Sequence, residues 1–361
     1  MMKMATLAAV LCATWVVASV GAAEGAVLAG AQAAGPAADQ PAAAPAAGEA
    51  DQAGEADQAN QADQAGQKVQ EVDVTGERPG PSLWRVSKGD HVAWLFGTLD
   101  PLPKKMIWRS REVESVVSQA QEVLASGPSV SADVGPIAII RLYLQYRRTE
   151  KIPEKANLRD WLPPALYARF STLKMRYDPR DHAIEDMRPL FAARRLYERA
   201  LSASELTSRN DIQDKVFKLA RRHHVAIEHT SLTLTDPRGI LTEVGEIPRS
   251  AEIDCLAATV ERLETDLGAM KQRAQAWSLG DVDELRRLPY PAQREVCTTT
   301  VANSPQIRAL IARAASDWET ALEASIAEHR TTFAMKPVYD LIGPGGTLAT
   351  LRAKGYTVEG P

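Results

Sequence analysis

The chain is poor in the residues that usually carry metal and nucleophile chemistry. Six histidines and three cysteines are spread through 361 residues. No His-Glu-x-x-His run occurs, so the helical zinc-peptidase signature is missing; His182 and Asp186 have i, i+4 spacing and nothing to complete it. No Gly-x-Ser-x-Gly elbow occurs, which leaves serine-hydrolase catalysis without a local signature. The glycine-rich turn Gly343-Pro344-Gly345-Gly346 lacks the lysine and spacing of a phosphate-binding loop and reads as chain reversal. A bulk excess of one charge is missing too. Residues 78–361 hold 40 basic and 36 acidic side chains, net +4, with no aromatic-basic motif, so nothing indicates nucleic acid. After about residue 20 no apolar run is long enough to span a membrane.

What is present begins with an export signature. Lys3 precedes an apolar run from Ala5 to Val20, then Gly21-Ala22-Ala23. A positive start, a short apolar core and small closing residues describe a signal peptide over 1–23, which carries Cys12 away with it. Residues 24–77 form an acidic linker of Ala, Gln, Asp, Glu, Gly and Pro. Within it Gly48-Glu49-Ala50-Asp51-Gln52 recurs as Gly54-Glu55-Ala56-Asp57-Gln58. Such a composition buries too little apolar surface to offset its ordering entropy and is expected to be disordered. Residues 1–77 contain 10 acidic and 2 basic side chains.

Removal of the signal leaves Cys255 and Cys297. An even count in an exported chain points to a disulfide, with two separately buried thiols as the alternative.

Residues 78–361 read as one α/β (α+β) domain: a central mixed sheet, two related strand-turn-helix halves and a large helical middle. Leu83–Val86 and Val92–Phe96 are strands joined at Lys88-Gly89-Asp90. Arg111–Ala125 reads as an amphipathic helix through Val113, Val116, Val117, Ala120 and Leu124. Helical spacing recurs over 137–146, 164–175, 188–201, 212–223, 253–276 and 306–327, punctuated by prolines. Val225–Glu228 and Thr331–Val338 are further strands. A short helix over 348–354 and a strand over 356–358 close the chain. The acidic turns at Asp100 and Asp340 then fall at the carboxyl edge, where α/β sheets place ligands.

Several residues carry a family likeness. Leu83-Trp84, Trp94-Leu95-Phe96-Gly97-Thr98-Leu99 and Pro101-Leu102-Pro103 resemble the opening of the TraB/GumN family. That family includes the Tiki-type metalloproteases and is related in fold to erythromycin-esterase-like proteins. Thr332-Phe333-Ala334, Gly343-Pro344-Gly345-Gly346-Thr347-Leu348 and Leu351–Val358 resemble its closing motif, and Val225–Thr230 its central Leu-Glu-Thr segment. The likeness spans about residues 83–361.

The resemblance implies a divalent metal held by two histidines, in Gly-Thr-x-His and Gly-x-x-His, together with glutamate. Here Asp100 and Asp340 stand at the histidine positions, and Glu228 is retained. The family's Arg-Asn pair ahead of a helix tryptophan falls at Ala314 and Ala315, before Trp318. Gly97 and Thr98 are expected to line the cleft. If Asp100, Glu228 and Asp340 converge, three oxygens suit manganese, magnesium or calcium. Loss of both imidazoles and the Arg-Asn pair points instead to a member without cofactor or catalysis, which binds a peptide, glycan or envelope protein in the old cleft. The alternative is a metal-dependent, peptidase-like hydrolase using the oxygen site. His223, His224 and His229 bracket the Glu228 strand, and basic residues at a helix end are more simply explained by the helix dipole. His91 reads as a solvated turn residue. Arg147, Arg148, Arg194, Arg195, Arg221 and Arg222 read as a solvated helical surface, with a partner surface as the alternative.

Overall fold

The computed structural model describes residues 80–361 except 109, 155, 209–210 and 289–291. The expected signal peptide and acidic linker lie outside the described residues. The strands are β1 (Leu83–Lys88), β2 (His91–Thr98), β3 (Leu102–Pro103), β4 (Glu122–Leu124) and β5 (Ser129–Ser131). They continue with β6 (Leu206–Thr207), β7 (Ala226–Glu228), β8 (Ser231–Thr233), β9 (Thr331–Pro337) and β10 (Thr357–Glu359). Six of them make one mixed sheet in the order β10-β1-β2-β9-β4-β7.

β1 and β2 form the expected hairpin, in register from Leu83↔Phe96 to Lys88↔His91. Its two-residue loop needs a positive φ, which Gly89 supplies at 64°. β2, β9, β4 and β7 are parallel to one another, so the two halves of the chain meet where β2 lies beside β9. Parallel strands are covered on both faces, and β9 is buried at five successive residues, Thr332 to Met335 and Lys336.

Alternation along β9 assigns those faces. Phe333 points to one of them, with Phe96 5.8 Å away between ring centroids; Trp108 lies 5.8 Å from Phe96 and 5.8 Å from Trp277. The Trp277 indole donates to the Gly97 carbonyl at 2.7 Å. Thr332 and Lys336 point to the other face, covered by the helix Pro305–Glu328. There the Ser325 and Thr332 hydroxyls lie 2.8 Å apart.

A second core lies in the helical middle, built from Phe170, Leu190, Leu196, Leu256 and Val260. Arg188, just ahead of the helix Pro189–Ala203, reaches into it. Its guanidinium lies 2.5 Å from the Glu252 carboxylate and donates to the Ile247 carbonyl at 3.3 Å. Burial pushes the Glu252 carboxyl up to about 7, against the opposing pull of Arg188. Most of the named arginines are paired: Arg147 with Glu150, Arg194 with Glu198, Arg195 with Asp181, Arg222 with Glu114.

Cys255 and Cys297 are bonded, tying the helix Arg249–Thr265 to the helix Ala292–Ala302. The sequence separation is 42, and closing such a loop in the unfolded chain stabilises by about 2–4 kcal/mol. Replacing both cysteines with serine should therefore lower the unfolding free energy by that amount, seen as a lower urea midpoint. Wild type in reductant should coincide with the variant; an unchanged midpoint would remove the bond from the stability account.

Three expectations need correction. The helix from Arg111 stops at Gln119, and residues 122–124 are β4. Ala120 leaves the helix with ψ at 146°, and the Gln121 amide bonds to the Thr331 carbonyl. The apolar run Val123-Leu124-Ala125 fits a strand buried on both faces better than one more turn of amphipathic helix. The expected helix over 253–276 is two, Arg249–Thr265 and Leu267–Leu279. They are parted at Asp266, whose carboxylate takes Arg262 at 3.4 Å and Arg273 at 2.5 Å. Asp340 lies not in a turn but in the short helix Val338–Ile342, started by Pro337 with its φ fixed near −53°. No helix among the described residues is long and apolar enough to cross a membrane.

Candidate functional site

The carboxyl ends of β2, β9, β4 and β7 lie along one edge, and each residue expected in the site can be placed against it. Asp100 is exposed, two residues past the end of β2. Glu228 ends β7, the last strand of the sheet, and is exposed as well. The pairings put Glu228 level with Leu124, Ala334 and Leu95. β7 is three strands from β2, a lateral distance of about 14 Å. Asp340 is half-buried in the helix after β9. Among the described residues no group of three or more His, Cys, Asp or Glu side chains is placed to hold a metal ion. Asp100 and Asp340 follow the neighbouring strands β2 and β9, while Glu228 stands at the far end of the four-strand front.

Gly97 and Thr98 are both buried. A Cβ on Gly97 would meet Val338 Cγ2 at 2.9 Å and Trp84 at 3.1 Å, so the glycine serves a close approach of side chains to the strand rather than an open wall. The histidines also disperse. His223 lies 3.6 Å from Glu114, His229 stacks edge-on against Phe217 at 5.3 Å, and His91 contacts the His329 carbonyl at 2.9 Å.

One residue at this edge was missed by the sequence reading. Lys336, level with Gly97 near the end of β9, is buried, and its Nζ hydrogen-bonds to none of the described residues. The ammonium lies 4.4 Å above the Trp318 ring. Trp318 is itself anchored at the edge, because its indole donates 2.8 Å to the carbonyl of Ala125, the first residue past β4. The ring face offsets roughly 2 kcal/mol. Taking an ammonium out of water costs several kcal/mol even after relaxation. The balance leaves an ammonium short of hydrogen-bond partners where two parallel strands end. The signal in the sequence was a single lysine inside the otherwise apolar run Phe333-Ala334-Met335-Lys336-Pro337-Val338.

The two nitrogen positions that the resemblance implies hold carboxylates, Asp100 and Asp340, and the buried Lys336 stands at the same edge.

A parallel four-strand centre extended by an antiparallel hairpin defines an α/β protein, a class whose ligand sites generally lie beyond the carboxyl ends of the strands. The sequence model of the TraB/PrgY/gumN family matches residues 82–360, and the chain belongs to that family. No curated protein sequence and no solved structure matches it.

Proposed function

We propose that the protein is an exported, non-catalytic member of the TraB/PrgY/gumN family that binds a peptide, glycan or protein partner at the carboxyl edge of its sheet. The observation that carries this reading is the Lys336 ammonium. A dication held close to a unit positive charge meets a repulsion on the order of several kcal/mol at an effective dielectric near 20. That opposes the ion a metallohydrolase needs to activate water. Replacement of both family imzidazole positions by Asp100 and Asp340 works in the same direction, because it removes the nitrogen donors while the ammonium remains. Export is supported by the composition of residues 1–23 and by the Cys255–Cys297 bond, which belongs to an oxidising compartment.

The test is elemental analysis of the purified protein, followed by calorimetric titration with manganese, magnesium and calcium and by assays on peptide and ester substrates. No stoichiometric ion, no binding heat and no turnover are expected. A stoichiometric ion lost on Asp100→Ala, or chelator-sensitive turnover by pure wild type, overturns the proposal in favour of a metal-dependent hydrolase.

A further inference from the structure

Lys336 is not the only unsatisfied group along the edge. Thr230, two residues past the end of β7, is 9% exposed, and its Oγ1 has no hydrogen-bond partner among the described residues. Its own carbonyl accepts from the Ser129 amide at 2.7 Å, while its hydroxyl is left open. Lys336 is 7% exposed. The two residues stand at the same level. Each lies two positions beyond a residue paired across β4, Ala334 and Glu228 both facing Leu124. Two strand spacings, about 10 Å, separate their backbones. The lysine ammonium lies over Trp318, whose indole is pinned to the carbonyl of Ala125 on the intervening strand.

We infer that Lys336 and Thr230 form a binding site for an oxyanion, a carboxylate or phosphate carried by the ligand. The inference rests on the non-catalytic reading above and names the chemistry that its cleft selects. An ammonium offers three donors and no acceptor, and a hydroxyl adds a fourth donor. A buried cation calls for a counter-charge, which a neutral carbonyl does not supply. Trp318 then serves as the apolar floor beneath the charged group, in the way ligand sites combine an aromatic wall with few polar contacts. The same arrangement accepts the end of a peptide, an acidic sugar or a phosphate ester. It disfavours a free divalent cation.

Thermal unfolding of wild type, Lys336→Met and Thr230→Val tests this in chloride, acetate and inorganic phosphate at matched ionic strength. Wild type should melt about 3 °C higher with an anion at ten times its Kd than in chloride. Lys336→Met should show no such rise and should unfold in chloride at a urea concentration no lower than wild type, because it removes an unpaired buried charge at nearly constant volume. Thr230→Val should retain less than half of the wild-type rise. A response to phosphate alone assigns phosphate-bearing ligands; a response to acetate assigns carboxylates. Wild type indifferent to both anions, or Lys336→Met responding as wild type does, overturns the site. If Lys336→Met does not fold, the wild-type and Thr230→Val shifts decide alone. A protein that binds manganese and still shows the lysine-dependent rise loses the non-catalytic reading and keeps this site. A metal-free protein indifferent to anions loses this site only.

Discussion

Arg188→Met should destabilise the protein by about 3–5 kcal/mol at pH 8 and by much less at pH 5. The guanidinium and the Glu252 carboxylate are both buried, 2.5 Å apart, within the helical core. Removing the arginine alone leaves a carboxyl that can ionise only at the full cost of burial. The carboxyl already titrates near 7 in the folded protein, above its ordinary 4.5, because burial outweighs the pull of Arg188. The folded state therefore holds this proton more tightly than the unfolded chain. The resulting stabilisation is complete below about pH 4.5 and is lost as pH rises through 7. Without Arg188 the carboxyl climbs further, so the gap between variant and wild type widens with pH. Urea midpoints of both proteins at the two pH values measure it, and a gap independent of pH would refute the coupling. Arg188→Met combined with Glu252→Leu should recover most of the loss, since well-packed apolar residues often replace a buried pair without penalty.

Trp277→Ala should cost about 5 kcal/mol, close to the whole stability of many domains. The indole is 1% exposed and packs against Trp108 and Phe96. Truncation removes that burial and orphans the Gly97 carbonyl, which accepts the indole N–H at 2.7 Å. Trp277→Phe separates the two contributions: it keeps most of the packing, loses the hydrogen bond, and should cost about 1–3 kcal/mol. Both are read from urea unfolding followed by far-UV circular dichroism. An alanine variant within 1 kcal/mol of wild type would mean that the aromatic cluster does not hold the helix Leu267–Leu279 to the sheet.

The scaffold was largely legible because its signals are local. The Gly89-Asp90 loop, the apolar runs of β2 and β9 and the proline-started helices each declare themselves within a few residues. β4 did not, because Val113, Val116, Val117, Ala120 and Leu124 keep a helical phase across a boundary that only the pairing with β9 and β7 decides. The short helix carrying Asp340 was hidden for a similar reason: five residues are too few to show a period. The likeness at the chain's two ends located the edge of interest. It directed attention to the positions where histidines were replaced and away from Lys336, whose character depends on which helix covers β9. Burial of a lysine is a tertiary property, and the residue reads as ordinary until Trp318 is placed above it.

The pairing of β10 with β1 sets residue 359 beside Arg85, closed by an ion pair at 2.7 Å. Anything joined ahead of β1 and anything joined behind β10 leaves the sheet from the flank away from β7. A circular permutant that links these neighbouring ends and opens the chain elsewhere should keep the same fold. Affinity tags or surface anchors at either end would share the carboxyl edge with Lys336 and Thr230, because Leu83 is level with Phe96 and Met335, whereas an insertion at the Gly89-Asp90 loop would leave that rim free.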